Sequence, residues 1–316
     1  MDYLVDESAA LGFIRSLNES SQRIEAKLSG EIAQSSNQVL SQIGALNDAG
    51  MRRQCVYLGN NRVLTRLVDG EKFFVDTDDL SLAPHIILDG FWENWISRIF
   101  KALIKPGMTV VDVGANIGYY GVVAGSCVGK EGRVFAFEAN PKVFDTLFRN
   151  ISINGYLDRT VSENCAVYSH DTNLTFNTYK YHQGSSCIGT VTEEHLAKYR
   201  DEVVQIQVPA LALDGFFARG GHDERVDVMK IDVEGAEPYV FRGMERILAR
   251  NPQIFIFCEF APVMISGTGG NPQEFLESLL QRGFKLRYIH ESSQVIDTSI
   301  QELLAMPWAE LLLHRN

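Results

Sequence analysis

The sequence lacks the features that mark nucleic-acid-binding proteins. Its 29 Lys and Arg residues stand against 40 Asp and Glu residues, which gives a formal net charge of −11, and no long run of Lys and Arg occurs. An acidic balance of this kind repels the phosphate backbone on which nucleic-acid affinity largely depends. We therefore expect no nucleic-acid partner.

The chain also lacks the patterns of disulfide-bonded, zinc-binding and membrane-spanning proteins. Its five cysteines are odd in number, widely spread and free of any CxxC pair, which favours neither a disulfide framework nor a zinc site. No apolar run approaches the length of about 18 residues needed to span a bilayer. The N-terminus, MDYLVDESAA, carries acids where a secretory signal carries Lys or Arg. These absences predict a cytoplasmic protein without a membrane span.

What is present is the composition of an ordinary folded protein. Apolar residues make up 45% and charged residues 22% of the 316 positions, close to the averages of globular domains. A chain of this length can form one large domain with a smaller appendage. We divide it into an N-terminal arm (1–50), a region that leads into the core (51–107) and a main domain (108–316).

The N-terminal arm has the pattern of an amphipathic helix. Between positions 17 and 46 it is rich in Ser, Gln, Glu and Asn, and its apolar residues recur at spacings of 3, 4 and 7. This spacing produces a narrow apolar stripe along one helix face. Such a stripe can be covered by the main domain or by a second copy in a short coiled coil. Packing within one chain and a homodimer through this helix are therefore both open.

The second region contains three short apolar runs, CVYLG, RVLTRLV and EKFFVD, separated by turns rich in Asn, Asp and Gly. This pattern predicts a small β-meander. A helix should follow it and end at the breaker Lys105-Pro106-Gly107.

Strand-like and helix-like stretches alternate through the main domain. The predicted strands are TVVDVG, RVFAFE, TVSENCAV, VDVMKID, QIFIFCEF and two late runs, FKLRYI and AELLLH. One predicted helix begins at Ile117, and three others cover 141–153, 236–249 and 272–282. Such alternation indicates an α/β fold with a doubly wound, mainly parallel sheet.

The segment from Val110 to Gly118 has the pattern of a nucleotide cradle, because an apolar strand runs through a glycine turn into a helix. Gly114 allows a tight turn and close approach of a ligand, and Gly118 allows the helix to pack closely at the strand end. Glu138 follows 20 residues after Gly118, at the tip of the next strand, where it can accept hydrogen bonds from ribose hydroxyls.

The cradle differs from that of a dehydrogenase. A dinucleotide fingerprint has the form GxGxxG, whereas here Asp112 precedes a single glycine and Asn116 occupies the second glycine position. An acid at this place repels a pyrophosphate and suits a ligand with a positively charged amino-acid part.

A second group of charges lies in VDVMKIDVEGAE, where Lys230, Asp232 and Glu234 alternate with apolar residues. A period of two places them on one face or at the carboxyl tip of a strand. Ligands of open α/β sheets bind at such tips, so this strand predicts a second wall of the site. An internal ion pair of Lys230 with Asp232 or Glu234, together with helix capping by Glu237, is the structural alternative.

At three places the sequence resembles the FkbM-type methyltransferases, in DVGANIGYYG (112–121), GRVFAFEANP (132–141) and KIDVEGAE (230–237). The likeness spans about residues 88 to 314 and leaves the N-terminal helix outside. Ala139 departs from the proline that the family usually has, although Glu138 before it is kept.

The resemblance implies a Rossmann-like, seven-stranded methyltransferase sheet that binds S-adenosylmethionine. It implies that Glu138 holds the ribose and that adenine lies beside Asn164, Ala166 and Val167. The residues implied around the methionine part are Asp112, Gly114, Asn116 and Gly118, with Glu93 near the amino group, where an opposite charge is favourable.

Methyl transfer to a hydroxyl needs an acceptor oxygen held in line and a base within hydrogen-bond reach. We assign the base to Asp232, with Lys230 and Glu234 orienting it or the acceptor. Glu259, at the end of FIFCEF, is a second base or part of the acceptor pocket. Asp232 and Glu259 could also bind Mg²⁺, which prefers oxygen ligands, but we favour catalysis without a metal. His182 is an alternative base.

The loop at 179–189, rich in Gly, Ser and Tyr, suits a lid over a sugar or polyoxygenated substrate, or is a surface connection. These features predict an O-methyltransferase that acts on a hydroxyl of a glycan or a small secondary metabolite. The alternatives are an N- or carboxyl-methyltransferase, and a non-catalytic nucleoside-binding module assembled through its N-terminal helix.

Overall fold

The computed structural model describes residues 23, 26–32, 34–36, 38–41, 55–190, 201–222 and 225–315. The chain divides into two compact units, 1–53 and 54–316. In the first unit the described residues are helical with exposed side chains, among them Leu28, Ile32 and Val39. The rest of the predicted helix lies outside the described residues, and a homodimer through it stays a prediction.

The second unit contains strands and helices in alternation. Its described strands are β1 (Val56–Gly59), β2 (Arg62–Arg66), β3 (Lys72–Asp76), β4 (Thr109–Val113), β5 (Arg133–Phe137), β6 (Thr160–Glu163), β7 (Ala166–Val167), β8 (Thr172–Tyr179), β9 (Val203–Leu211), β10 (Val228–Ile231), β11 (Phe255–Phe260), β12 (Arg287–Ile289), β13 (Val295–Asp297) and β14 (Ala309–Leu313). The helices span Ala83–Leu88, Asn94–Leu103, Tyr119–Cys127, Pro141–Ile153, Leu213–Gly220, Glu237–Arg242, Glu245–Arg250, Pro262–Gly267, Pro272–Gln281 and Ile300–Ala305, with a 3-10 turn at Gln183–Ser185.

In the part of the chain that the structure describes, the central sheet has eight strands in the order β13-β12-β14-β11-β10-β4-β5-β6. Neighbours from β11 to β6 are parallel, and β14 is antiparallel to both β11 and β12. This topology confirms the predicted α/β fold. The sheet has one strand more than the seven that were expected, because β13 pairs with β12 at its edge.

Both faces of this sheet are covered. Along β10, Val228 packs with Phe257 on one face, whereas Met229 packs with Phe241 on the other. Successive strand residues point to opposite faces, so a nearly continuous apolar strand needs helices on both sides. The strand ends are then the part of the sheet left open to a ligand.

The run TVSENCAV does not form the single strand that was predicted. Its first half is β6 in the central sheet, whereas β7 belongs to a second sheet of order β7-β9-β8. Asn164 lies at the break, where its side-chain amide donates to the carbonyl of Glu138 at 2.8 Å and to that of Ala139 at 3.2 Å. The hydrogen bonds of Asn164 thus tie the turn between the two sheets to the tip of β5.

The antiparallel pair β8–β9 was not predicted. Both strands alternate apolar residues with Thr, Asn and Gln, and more than 20 residues, 180–202, separate them along the chain. A short turn is the strongest local signal of a hairpin, and it is missing here. The pairing therefore depends on packing, in which Phe176 and Val208 cover Ala139 of the central domain.

The predicted helix at 236–249 is wrong as one element, because it breaks into two at Gly243. A Cβ at this glycine would lie 2.2 Å from the carbonyl oxygen of Tyr168, so the chain passes too close for a side chain. The Asp214 carboxylate accepts the backbone N–H groups of Arg246 and Ile247 at 2.8 and 3.0 Å. These bonds start a new helix after the break.

The meander β1-β2-β3 was predicted correctly. Asn150, in the last turn of the helix Pro141–Ile153, and Asn154, which caps the end of that helix, pair with the edge strand β3. The Asn150 amide accepts from Phe74 N at 2.6 Å and donates to Phe74 O at 3.0 Å, and Asn154 makes the same two bonds with Lys72 at 2.9 and 2.8 Å. Two side chains thus satisfy a strand edge that would otherwise be open.

Among the described helices, none has the length and apolar character required to cross a membrane.

Asn150→Ala should lower the free energy of unfolding by about 3 kcal/mol, because it leaves buried backbone groups without partners. Asn150 is 0% exposed and also donates to the carbonyl of Ile117 at 2.8 Å. Asn154→Ala is the matched control, with an expected loss of about 1 kcal/mol since the bonds that it makes to Lys72 are solvent-exposed. Urea denaturation measures both, and equal losses would contradict the proposed importance of Asn150.

Candidate active site

A cavity of about 310 Å³ lies at the carboxyl ends of the parallel strands. Residues from the tips of β4, β5, β10 and β11 line it, as do parts of β7, β8 and the turn after β8. The central sheet therefore supplies the floor of the cavity, and the second sheet supplies another wall.

The cradle turn after β4 is held by backbone contacts on two sides. The N–H groups of Gly114 and Ala115 both donate to the carbonyl of Phe137, at 3.0 and 2.9 Å. Gly114 has φ +79°, and a Cβ there would lie 1.7 Å from the backbone oxygen of Asp232. Only glycine allows the tips of β4 and β10 to meet so closely.

Glu138 joins the tips of β4 and β5. One carboxylate oxygen accepts Asn116 N at 2.9 Å, and the other accepts Asn140 N at 2.7 Å. Asn116 is itself left-handed, with φ +49°. Burial raises the pKa of Glu138 to about 7, while the backbone N–H groups that it accepts act in the opposite direction.

One end of the cavity is lined mainly by apolar side chains. Phe137 and Ala139 line it from the central sheet, and Cys165, Ala166 and Val167 from the segment after β6. Leu174 and Phe176 of the second sheet and Ile188, which follows the 3-10 turn, close this end.

The opposite end is acidic. Carboxylate oxygens of Asp232, Glu234 and Glu259 lie within 4.8 Å of one another. The Glu259 Oε1 atom accepts the indole N–H of Trp308 at 2.7 Å, and among the described residues its buried Oε2 has no hydrogen-bond partner. Burial, followed by repulsion from Asp232, raises the pKa of Glu234 and Glu259 well above the usual value.

Lys230 lies directly beneath this acidic end. Its ammonium is 3.0 Å from Asp232 Oδ2 and 3.2 Å from Glu310 Oε2, and it lies 5.5 Å from the centre of the Tyr120 ring. Lys230 and Glu310 are each 1% exposed. Although burial by itself lowers the pKa of Lys230, the carboxylates of Asp232 and Glu310 hold it well above the usual range.

The structure brings most of the predicted site residues to one cavity. Those that line it are Glu93, Gly114, Asn116, Glu138, Ala166, Val167, Asp232, Glu234 and Glu259. Asp112, Gly118, Asn164 and Lys230 are not among the lining residues. The Glu93 carboxylate accepts a hydrogen bond at 3.0 Å from the hydroxyl of Tyr120, which also lines the cavity.

The structure also contains the contacts of the alternative predicted for the charged strand, an internal ion pair of Lys230 and a backbone cap by Glu237. Lys230 forms the internal ion pair with Asp232. Glu237 is 0% exposed, and its Oε1 accepts the backbone N–H groups of Val233 and Gly235 at 3.1 and 3.3 Å. Lys230 and Glu237 therefore support the strand tip, whereas Asp232 and Glu234 face the cavity.

Several residues at the site were missed. Glu310 is an acid in the otherwise apolar run AELLL, and a lone charge in a buried strand is a signal that could have pointed to a partner such as Lys230. Leu174 and Phe176 were missed together with β8. His182, the predicted alternative base, is not among the cavity-lining residues, and its Nδ1 atom lies 2.8 Å from Asp201 Oδ2.

Fold and cavity together define a Rossmann-like α/β protein with a ligand cleft at the carboxyl ends of its parallel strands. A family model described as the methyltransferase FkbM domain matches residues 112–286, a span that contains the cradle, Glu138 and the strand β10. The chain belongs to the FkbM methyltransferase family.

Methyltransferase 1 of Beauveria bassiana (strain ARSEF 2860) is 28% identical over 146 residues, which cover 43% of this chain and 58% of that protein. Methyltransferase sdnD of Sordaria araneosa is 28% identical over 158 residues, covering 43% of this chain and 60% of that protein. The chain thus spans about three fifths of the length of these relatives. An O-methyltransferase from Bacillus cereus, solved with SAH, has a TM-score of 0.40 and 14% identity over 75% of this chain and 83% of that chain.

Asp112→Asn should stabilise the ligand-free protein, and more at pH 8 than at pH 5. Asp112 is 1% exposed, its Oδ2 has no hydrogen-bond partner among the described residues, and burial raises its pKa to about 7 from an ordinary 3.8. The folded state therefore holds a proton that the unfolded state releases between those values, so stability falls as pH rises through this window. The pKa differs by about three units between the folded and unfolded states, so removing the charge should contribute about 4 kcal/mol at pH 8 and much less at pH 5.

Urea denaturation of both proteins at the two pH values measures this difference. Glu131→Gln, at an exposed carboxylate, is the control and should show no change between them. An Asp112→Asn protein that is less stable than the unmodified one at pH 8 would mean that the Asp112 carboxylate gains more from Lys230 than it loses by burial.

Proposed function

We propose that this protein is an S-adenosylmethionine-dependent O-methyltransferase that acts on a hydroxyl of a glycan or a small secondary metabolite. Membership of the FkbM family supports methyl transfer. The finer parts of the proposal, the cofactor contacts, the base and the acceptor, are argued below from the cavity.

The charge of the cavity is the observation that carries the proposal. Its described lining contains five carboxylates, Glu93, Glu138, Asp232, Glu234 and Glu259, and no lysine, arginine or histidine. Such a wall repels a pyrophosphate and attracts a cation. A ligand with a sulfonium and an ammonium group fits this charge, whereas a dinucleotide does not.

The other features of the cavity fit the nucleoside part of the same ligand. The apolar end between Phe137 and Val167 suits adenine. Glu138 keeps its carboxylate fixed by two backbone donors, which leaves its remaining acceptor positions available to ribose hydroxyls. The methionine part would then lie along Gly114–Asn116, towards Glu93. S-adenosylmethionine, when bound, supplies an electrophilic methyl group.

Asp232 is the base in this proposal. Its side chain is 32% exposed and lines the cavity, while Lys230 holds its Oδ2 at 3.0 Å from behind. A carboxylate held in this way can take the proton of an acceptor hydroxyl within hydrogen-bond reach. Lys230 is a positioning residue, because it faces Asp232 and Glu310 and does not line the cavity.

Glu234 and Glu259 would hold the acceptor. Burial and the neighbouring carboxylates raise the pKa of both groups well above the ordinary value, which favours the protonated form, and a protonated carboxyl can donate as well as accept a hydrogen bond. Trp92 and Tyr168 also line the cavity and offer apolar ring faces. Rings together with carboxyl groups suit a polyhydroxylated acceptor.

Asp232→Asn should abolish turnover and leave cofactor affinity nearly unchanged. Calorimetry should show that both proteins bind S-adenosylhomocysteine with micromolar affinity, and transfer of a labelled methyl group to a panel of glycans and polyols should be lost in the variant, by about 10³-fold or more. The reason is that the amide cannot accept the proton, whereas Asp232 makes no part of the proposed nucleoside contacts.

Asp227→Asn is the matched control, because Asp227 precedes the same strand β10 at its other end and accepts Thr109 N at 2.8 Å. It should keep turnover within about twofold. Absence of binding in the unmodified protein would contradict the cofactor proposal. Binding without transfer to any acceptor would favour the non-catalytic module, and full activity of Asp232→Asn would move the base elsewhere.

Removal of divalent cations should leave turnover within about twofold of the untreated rate, because the proposed base needs no metal. Three carboxylates within 4.8 Å of one another could nevertheless hold Mg²⁺, which prefers oxygen ligands. Turnover measured after EDTA treatment and gel filtration tests this. A loss of activity that Mg²⁺ restores would assign Asp232, Glu234 and Glu259 to a metal and contradict the metal-free proposal.

A further inference from the structure

One wall of the cavity comes from a short segment outside the central sheet. Residues 183–186, which we call the strap, follow β8 and consist of the 3-10 turn Gln183–Ser185 and its cap Ser186. All four residues line the cavity. The Ser186 hydroxyl donates to the carbonyl of Gln183 at 2.7 Å, so the strap is closed on itself.

The strap lies against the cofactor cradle. A Cβ at Gly184 would lie 3.5 Å from the side-chain nitrogen of Asn116 and 3.5 Å from the hydroxyl of Ser81. Just before the strap, the carbonyl of Tyr181 accepts Leu80 N at 2.7 Å. The strap thus bridges the cradle turn and the segment that follows the meander.

A single carboxylate holds the chain at the entrance to the strap. Asp201, two residues before the start of β9, accepts the backbone N–H groups of Lys180 at 3.0 Å, of Tyr181 at 3.0 Å and of His182 at 2.8 Å. It also accepts its neighbour Glu202 N at 2.7 Å.

The His182 ring adds a fifth contact, with Nδ1 at 2.8 Å from Asp201 Oδ2, and the Asp201 side chain is 0% exposed. Because these donors favour the charged form, the pKa of Asp201 is lowered in spite of its burial.

Five donor groups converge on this one buried carboxylate. Charge-assisted hydrogen bonds are about twice as strong as neutral ones, and here they converge on three consecutive residues, 180–182, that lead directly into the strap. Asp201 is not among the described residues that line the cavity, so it has no direct contact with a ligand held there. Its effect on a ligand must pass through the position of the strap.

We propose that Asp201 is a positioning residue for cofactor binding, which latches the strap against the cradle turn and so completes the cavity wall. This inference rests on the proposed function for the identity of the ligand. The latch itself is a property of the cofactor-free protein and can be measured without any ligand.

Asp201→Asn replaces one acceptor oxygen by an NH₂ group that opposes the backbone donors. We expect S-adenosylhomocysteine to bind about 10-fold more weakly and to dissociate faster, while turnover at saturating cofactor changes by less than about twofold. Calorimetry and stopped-flow displacement measure these quantities. Hydrogen exchange of the Tyr181 and His182 amides should be about 10-fold faster in the variant without ligand.

Glu202→Gln is the matched control, because Glu202 is the next residue, 68% exposed and paired with Lys180. It should leave affinity and exchange unchanged. His182→Gln removes only the ring contact and should weaken binding about threefold, which keeps the proposal testable if Asp201→Asn does not fold.

Wild-type affinity in a folded Asp201→Asn protein, or equal effects of Asp201→Asn and Glu202→Gln, would overturn the latch. A loss of turnover at saturating cofactor with unchanged affinity would overturn it as well. Failure of the unmodified protein to bind S-adenosylhomocysteine would contradict the proposed function, and hydrogen exchange would then decide on the latch alone.

Discussion

The candidate site depends on one buried cation. Lys230 is 1% exposed and shares its charge between Asp232 at 3.0 Å and Glu310 at 3.2 Å. A buried ion pair is not a large net source of stability, but leaving one partner alone is costly. Lys230 therefore makes it possible for β10 and β14 to carry acids next to the acidic end of the cavity. Without it, the charges of Asp232 and Glu310 would have to be removed or exposed.

The same arrangement explains why the cavity can be so acidic. Lys230 lies behind the wall, where it pairs with Glu310 and with Asp232, and the described lining contains no lysine, arginine or histidine. Burial then raises the pKa of Glu138, Glu234 and Glu259. Such a cavity is costly while it is empty and gains when a cation binds. The buried acids at this edge of the sheet thus lower the stability of the ligand-free protein while they raise its affinity for a cation.

The cradle and the charged strand could be predicted because each depends on local chemistry. Gly114 and Glu138 lie at strand tips, and a strand tip is a position that alternation and turn residues reveal. The helix Pro141–Ile153 was predicted with its observed bounds for the same reason, since Pro141 and its cap Asn140 mark its start. By contrast, Gly243 interrupts a helical pattern only because Tyr168 approaches it in space, and no local signal carries that contact.

The second sheet could not be predicted from the sequence. Its strands β8 and β9 pair across a long connection, so their register depends on side chains such as Phe176 and Val208 packing against Ala139. Asp201 meets Lys180, Tyr181 and His182 only after that pairing has formed. Loops far apart in sequence meet through packing, which has no period to detect.

The sequence by itself determined the fold class, the alternation of strands and helices in the main domain and the residues at the strand tips. These features depend on apolar periodicity and glycine turns, which act over a few neighbouring positions. Tertiary structure alone decided which acids face the cavity and which lie behind it. It also paired Lys230 with Glu310, 80 positions along the chain, and brought the strap onto the cradle. These contacts join residues distant in sequence, and only the packed sheet places them within hydrogen-bond reach.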